Sequence, residues 1–179
     1  YEGDIPTAGL LRVARAFRED LGIQRITLGD TTGMANPRQG GELCEAVLAR
    51  QPRLSLTVHL HNTRGMGLAN ALAAYQAGVM RFDAALGGLG GCPFAPGATG
   101  NVATEDVVHM LERSGFETGI DMEGLRKAVA VAEKYTEQKL GGRKTVQAKL
   151  QCVDGRQFDA SRTEPATEFE ISECGTRVC

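Results

Sequence analysis

The sequence has no apolar run approaching the roughly 20 residues that a membrane-spanning helix requires, and so offers no candidate span. It also lacks any block of lysines and arginines. The 20 basic residues stand against 22 acidic ones, for a formal net charge of −2. That balance favours neither a nucleic acid nor an anionic membrane surface as partner. No secretion signal is visible in the sequence and no C-x-x-C pair occurs; Cys44, Cys92, Cys152, Cys174 and Cys179 follow no disulfide-like spacing. An odd cysteine count in such a chain predicts reduced thiols and a cytoplasmic setting. The chain starts at Tyr1 without a methionine, so its true amino terminus is expected to lie upstream. Neither G-x-x-x-x-G-K-[ST] nor G-x-G-x-x-G occurs, which removes the two common phosphate-cradling loops.

What is present is a chain of 179 residues, 42% hydrophobic, enough for the core of one ordinary domain. Leu10, Ala14, Phe17 and Leu21 recur at helical spacing, with Thr7 as the expected N-cap and Gly22 as the stop. Arg25 to Gly29 reads as a strand, and residues 37–50 as a helix with Leu43, Ala46 and Val47 inward. Residues 54–61 form the next predicted strand. Leu68, Leu72 and Tyr75 mark a helix ending at Gly78, and residues 79–86 a third strand. Thr104-Glu105-Asp106 opens a helix carrying Val107, Met110 and Leu111. A last helix, from Met122 to about Leu140, aligns Leu125, Ala128, Val129, Ala132 and Tyr135. This alternation predicts parallel β/α units. Three strands cannot close a barrel and leave two sheet edges unpaired, so the units read as part of a larger fold. After residue 142 the pattern stops, and 143–179 is expected to be a weakly ordered tail.

The polar residues gather just after the predicted strands, where parallel β/α folds carry their sites. Asp30 follows the first. His59 and His61 end the second and, being two residues apart on a strand, point the same way. Two imidazoles with oxygen ligands suit Mg²⁺, Mn²⁺ or Zn²⁺, although such a pair is equally compatible with a structural or surface role. The glycine-rich stretch from Gly87 to Asn101 reads as a functional lid, and Cys92 within it as an exposed thiol suited to proton transfer or as a harmless loop residue. Asn101 could be a helix N-cap or a metal ligand, and Asp30 a turn residue or a site residue. His109 reads as a surface or packed histidine, and Cys44 as core.

Four segments carry a resemblance: Leu28-Gly29-Asp30-Thr31-Thr32-Gly33, His59-Leu60-His61-Asn62-Thr63, Gly87-Gly88-Leu89-Gly90-Gly91-Cys92-Pro93-Phe94-Ala95, and Gly97 through Asp106. Together they resemble the 3-hydroxy-3-methylglutaryl-CoA lyases, metal-dependent TIM-barrel enzymes grouped with isopropylmalate and homocitrate synthases. The similarity covers about residues 1 to 140. The cysteine-loop motif separates the lyases from the synthases.

The resemblance implies a partial (β/α)8 barrel over residues 1–142, holding strands six to eight. It implies a divalent cation, Mg²⁺ or Mn²⁺ first, bound by His59, His61 and Asn101. Cys92 would relay a proton to the product carbanion, and Asp30 would orient the substrate. The implied reaction cleaves 3-hydroxy-3-methylglutaryl-CoA to acetyl-CoA and acetoacetate, a step of leucine catabolism and ketone body formation. The partner would be an acyl-CoA, with a homodimer open to the full-length enzyme and a mitochondrial matrix location if it is eukaryotic. The family's Asp-Arg-Glu-type motif, source of a fourth ligand and of an arginine, is absent, and Asn62 stands where an aspartate is common. The chain by itself is therefore expected to be inactive. The alternatives are an acyl-CoA condensing synthase, disfavoured by Gly90-Gly91-Cys92-Pro93, and a non-catalytic metal-binding module.

Overall fold

The computed structural model describes residues 5–91, 100–137, 139–140, 150–151 and 157–158. The chain divides into two compact units, residues 1–144 and 145–179. In the first, α1 (Thr7–Glu19), β1 (Arg25–Asp30), α2 (Pro37–Arg50), β2 (Ser55–Leu60), α3 (Gly67–Gln76) and β3 (Arg81–Asp83) alternate. A single 3-10 turn at Leu86–Gly88 follows, then α4 (Thr104–Arg113) and α5 (Met122–Thr136). In the second unit β4 (Leu150–Gln151) pairs antiparallel with β5 (Gln157–Phe158), two strands too short to leave a periodicity in the sequence. Among the described residues no helix is long and apolar enough to cross a membrane.

The three long-range strands form one parallel sheet in the order β1-β2-β3. Alternation along β2 divides its side chains. Leu56, Val58 and Leu60 are buried beneath the helices, with Cys44 and Val47 of α2, Ala71 and Ala74 of α3, and Val107 of α4. Ser55, Thr57 and His59 take the other face. Register extends that face across the sheet in two rows, Thr27–Thr57–Arg81 and Gly29–His59–Asp83. Helix α3 comes close to α2 because its buried side chains are small; a Cβ at Gly41 of α2 would lie 3.6 Å from the Ala73 Cβ. Asn36 caps α2 by accepting from the Gln39 N–H (3.0 Å), with Pro37 in the first helical turn, where its missing N–H costs nothing.

Several expectations shift. Thr7 is the first helical residue of α1, not its cap; Pro6 precedes it in an extended conformation and offers its carbonyl to Gly9 N–H at 2.8 Å. Gly22 does end the helix, at φ +68°. On α1, Ala14 is buried, but Phe17 is 40% exposed and Leu21, just past the helix, 66%, because α1 rests on α2 and β1 is an edge strand. Leu72 and Tyr135 are likewise exposed. The third strand is three residues rather than the eight expected from 79 to 86. The chain leaves the ladder after Asp83 so that Ala85 can bridge Ala103, donating to Val102 O (3.1 Å) and accepting from Thr104 N (2.9 Å). Part of the supposed irregular glycine stretch is thus the ordered turn at Leu86–Gly88. Helix α5 stops at Thr136 rather than Leu140, with Glu137 left-handed at φ +54°.

These burials make a checkable contrast. Val47→Ala, which empties a site of 0% exposure, is expected to cost about 2 kcal/mol in urea unfolding. Tyr135→Ser, at a residue 83% exposed, is expected to stay within about 0.5 kcal/mol of the parent. Equal losses at the two positions would contradict the packing described.

Candidate active site

The carboxyl end of the sheet carries the concentration of polar side chains. His59 sits on the face opposite the core and His61 directly beyond β2, with ring centroids 5.2 Å apart and planes at 63°. The shared direction expected from strand alternation is observed. Asp83, directly across from His59 on β3, holds its Nδ1 with Oδ2 at 2.9 Å. Engaging Nδ1 leaves Nε2 as the ring nitrogen open to a ligand. Asp83 was not singled out from the sequence. The available signal was register: a third strand aligned on His59 places an acid beside it.

Asn101 reaches the histidines through the backbone. His61 and Asn101 form an antiparallel bridge in which Val102 N donates to Leu60 O (2.9 Å) and Asn62 N to Gly100 O (3.0 Å). Gly100 makes this approach at φ +87°, packed against the carbonyls of Gly88 and Gly90 where a Cβ would collide. The Asn101 amide donates Nδ2 to Leu89 O at 2.7 Å, so it is not an N-cap: Ala103 occupies that position on α4.

Among the described residues, three lone-pair atoms here are buried without a hydrogen-bond partner: His61 Nδ1, Asn101 Oδ1 and Asp30 Oδ2. An unmade bond at a buried polar atom costs about 1–3 kcal/mol. Lone pairs left open on neighbouring residues fit an added electrophile, and two imidazoles plus a carboxamide oxygen form a donor set for a divalent cation with open positions. Among the described residues no group of three or more His, Cys, Asp or Glu side chains is placed to hold a metal ion, so a cation here would draw on the carboxamide of Asn101 as well as the two imidazoles. Asp30 ends β1, with Oδ1 accepting from Met34 N (2.9 Å) and Ala35 N (3.3 Å) and Oδ2 buried and unbonded. It is the turn residue, and its charge acts on His61. Asn70 of α3, fully buried, ties that loop down through Nδ2 on Ala35 O (3.1 Å); nothing in the sequence marked it except an amide on an otherwise small, apolar helix face. Asn62 accepts from Gly67 N at 3.0 Å and so fixes the start of α3.

Cys92 and the rest of its loop, residues 92–99, lie outside the described residues. His109 is exposed on α4. Cys44 is in the core as expected, its thiol pushed up to about 11 by burial and so inert as a nucleophile.

The HMGL-like family matches residues 1–132. The chain is 46% identical over 141 residues to the hydroxymethylglutaryl-CoA lyase YngG of Bacillus subtilis, covering 79% of this chain and 46% of that protein. It is 57% identical over 106 residues to the (R)-citramalyl-CoA lyase of Chloroflexus aurantiacus, covering 59% and 33% respectively. Among solved structures, an HMG-CoA lyase from Acinetobacter baumannii in complex with coenzyme A and 3-methylmalate superposes with a TM-score of 0.74 at 46% identity, over 80% of this chain and 47% of that one. The chain spans about half the length of the first of these relatives.

Burial lowers the pKa of His61 below the usual imidazole value of 6.5; positive charge on His59 pushes the same way, and Asp30 pulls back. The fold therefore favours the neutral ring. Its contribution to stability is present above pH 6.5 and is lost as pH falls through the lower folded value, because the unfolded chain binds the proton first. In an NMR titration of the metal-free chain, His61 is expected to titrate below 6.5, lower still in Asp30→Asn, and higher in His59→Gln. The opposite order in the two variants would contradict this electrostatic account.

Proposed function

Because the chain belongs to the HMGL-like family, we propose that it supplies three β/α units, with cation-binding side chains, to a TIM-barrel carbon–carbon lyase that cleaves 3-hydroxy-3-methylglutaryl-CoA to acetyl-CoA and acetoacetate. The observation that carries this reading is the backbone bridge that sets Asn101 beside His61, with Nδ1 of one and Oδ1 of the other buried and unpartnered. The ligand set is His59, His61 and Asn101. When bound, Mg²⁺ or Mn²⁺ supplies Lewis acidity toward the substrate's oxygens.

The chain's own residues do the positioning. Asp83 keeps Nδ1 of His59 occupied and so fixes which nitrogen faces the site. Asp30, with Oδ1 spent on its own loop, orients the substrate through Oδ2. In the reaction a base takes the tertiary hydroxyl proton and the C–C bond breaks. The oxygen's electron pair becomes the ketone of acetoacetate, and the bond pair stays on the acetyl-CoA carbon. Cys92 then delivers the proton that quenches this carbanion. An acyl-CoA ligand agrees with the coenzyme A bound by the Acinetobacter relative.

A second reading is favoured by the 57% identity to a citramalyl-CoA lyase, which implies the same class of cleavage on a different CoA thioester. Both readings require more of the barrel than the described strands provide, since β1 and β3 each pair on one side only.

Co-expressed with the amino-terminal half of the Bacillus subtilis relative, the chain is expected to release acetyl-CoA from 3-hydroxy-3-methylglutaryl-CoA with Mg²⁺ or Mn²⁺. EDTA, or His61→Ala, should reduce the rate at least about 100-fold. The chain alone should show no turnover. Release from citramalyl-CoA only would select the second reading; release from neither substrate would overturn the lyase assignment.

A further inference from the structure

We propose that Glu105 is the positioning residue that fixes which end of the Asn101 amide faces the site, acting through the turn at Leu86–Gly88. The inference deepens the lyase reading and rests on Asn101 being a cation ligand in it. Glu105 is the second residue of α4 and only 6% exposed, an unusual place for a carboxylate. Its Oε2 accepts from the Gly87 N–H at 3.0 Å, while Oε1 is buried with no partner. The N-terminal dipole of α4 favours a charge here, and the carboxylate's hydrogen bond to Gly87 N–H is spent on the turn.

Gly87 sits inside the turn at φ +61°, with Leu140 packed where a side chain would otherwise stand. The turn is closed by Gly88 N on Ala85 O (2.9 Å) and by Leu89 N on Leu86 O (3.0 Å). Its far end presents the Leu89 carbonyl, which takes Nδ2 of Asn101 at 2.7 Å. The two ends of the segment 101–105 thus grip one short turn at two points: Glu105 holds the amide at its middle, and Asn101 holds the carbonyl just past its close.

A carboxamide has one donating and one accepting end. With Nδ2 committed to Leu89, Oδ1 is directed away from the turn, and it is this oxygen that is buried without a partner. If the turn shifts, the amide loses its anchor and can rotate by 180°, presenting N–H groups, which do not ligate a cation. Glu105 touches none of the reacting groups and works entirely through this relay.

The test uses the purified, ¹⁵N-labelled chain, read by the Asn101 side-chain amide resonances and by Mn²⁺ affinity. Glu105→Gln keeps an acceptor for Gly87 N–H and is expected to leave both readings within about twofold of the parent. Glu105→Asp withdraws the acceptor by one methylene. It is expected to move the Asn101 amide resonances, speed their exchange with water, and weaken Mn²⁺ binding by about tenfold, as for other residues that orient a ligand from behind. Val108→Ala, at a buried position of the same helix, should lower stability yet leave the Asn101 resonances in place.

The proposal is overturned if Glu105→Asp leaves those resonances unmoved, if Val108→Ala moves them equally, or if Glu105→Gln behaves like Glu105→Asp. Mn²⁺ affinity that is unchanged in Glu105→Asp but reduced in Asn101→Ala also overturns it. A parent chain that fails to bind Mn²⁺ would instead overturn the cation reading, and the amide resonances would still decide whether Glu105 sets Asn101.

Discussion

The site depends on a short piece of backbone pairing. Leu60 and Asn62, on either side of His61, bond to Val102 and Gly100, on either side of Asn101. Residues 40 apart in sequence are thereby fixed side by side without any side chain spent on the task. Gly100 makes the approach feasible, because its positive φ and lack of a Cβ admit the carbonyls of Gly88 and Gly90. Everything polar near the strand ends is arranged around that seam. Asp83 steadies one imidazole, the Leu86–Gly88 turn steadies the amide, and the Asp30 loop closes the other side.

The sheet serves this seam by keeping its two faces distinct. One face is apolar under α2, α3 and α4 as far as Asp30 at the end of β1, which makes strand register costly to slip, since a shift of one residue would exchange Val58 for His59. The other face carries Thr27, Thr57 and Arg81 in one row and His59 with Asp83 in the next. The outer edges of β1 and β3 are unpaired among the described residues, and Phe17 of α1 and Leu21 just after it are exposed. Both features agree with a chain that spans about half the length of its HMGL-like relatives.

Much of this was legible in the sequence, for identifiable reasons. Strands alternating with helices at regular spacing gave the parallel β/α order, because hydrophobic period is a local property. The direction shared by His59 and His61 followed from strand geometry alone. What escaped depends on contacts between distant segments. Asp83 matters only through its register with His59, and Glu105 only through an amide 18 residues earlier. The end of β3 was misplaced because Ala85 prefers a bridge to Ala103, which no local pattern signals. On α1 and α5, apolar periodicity named Phe17 and Tyr135 as core, yet burial requires a neighbour as well as a pattern.

The central claim is that His59, His61 and Asn101 share one divalent cation. Electron spin-echo modulation of Mn²⁺ bound to the purified chain tests it most directly, since coupled imidazole nitrogens are counted at the metal itself. The account predicts two such nitrogens in the parent chain and one in His59→Ala or His61→Ala. A bound Mn²⁺ with no nitrogen coupling, or with coupling indifferent to both substitutions, would contradict it.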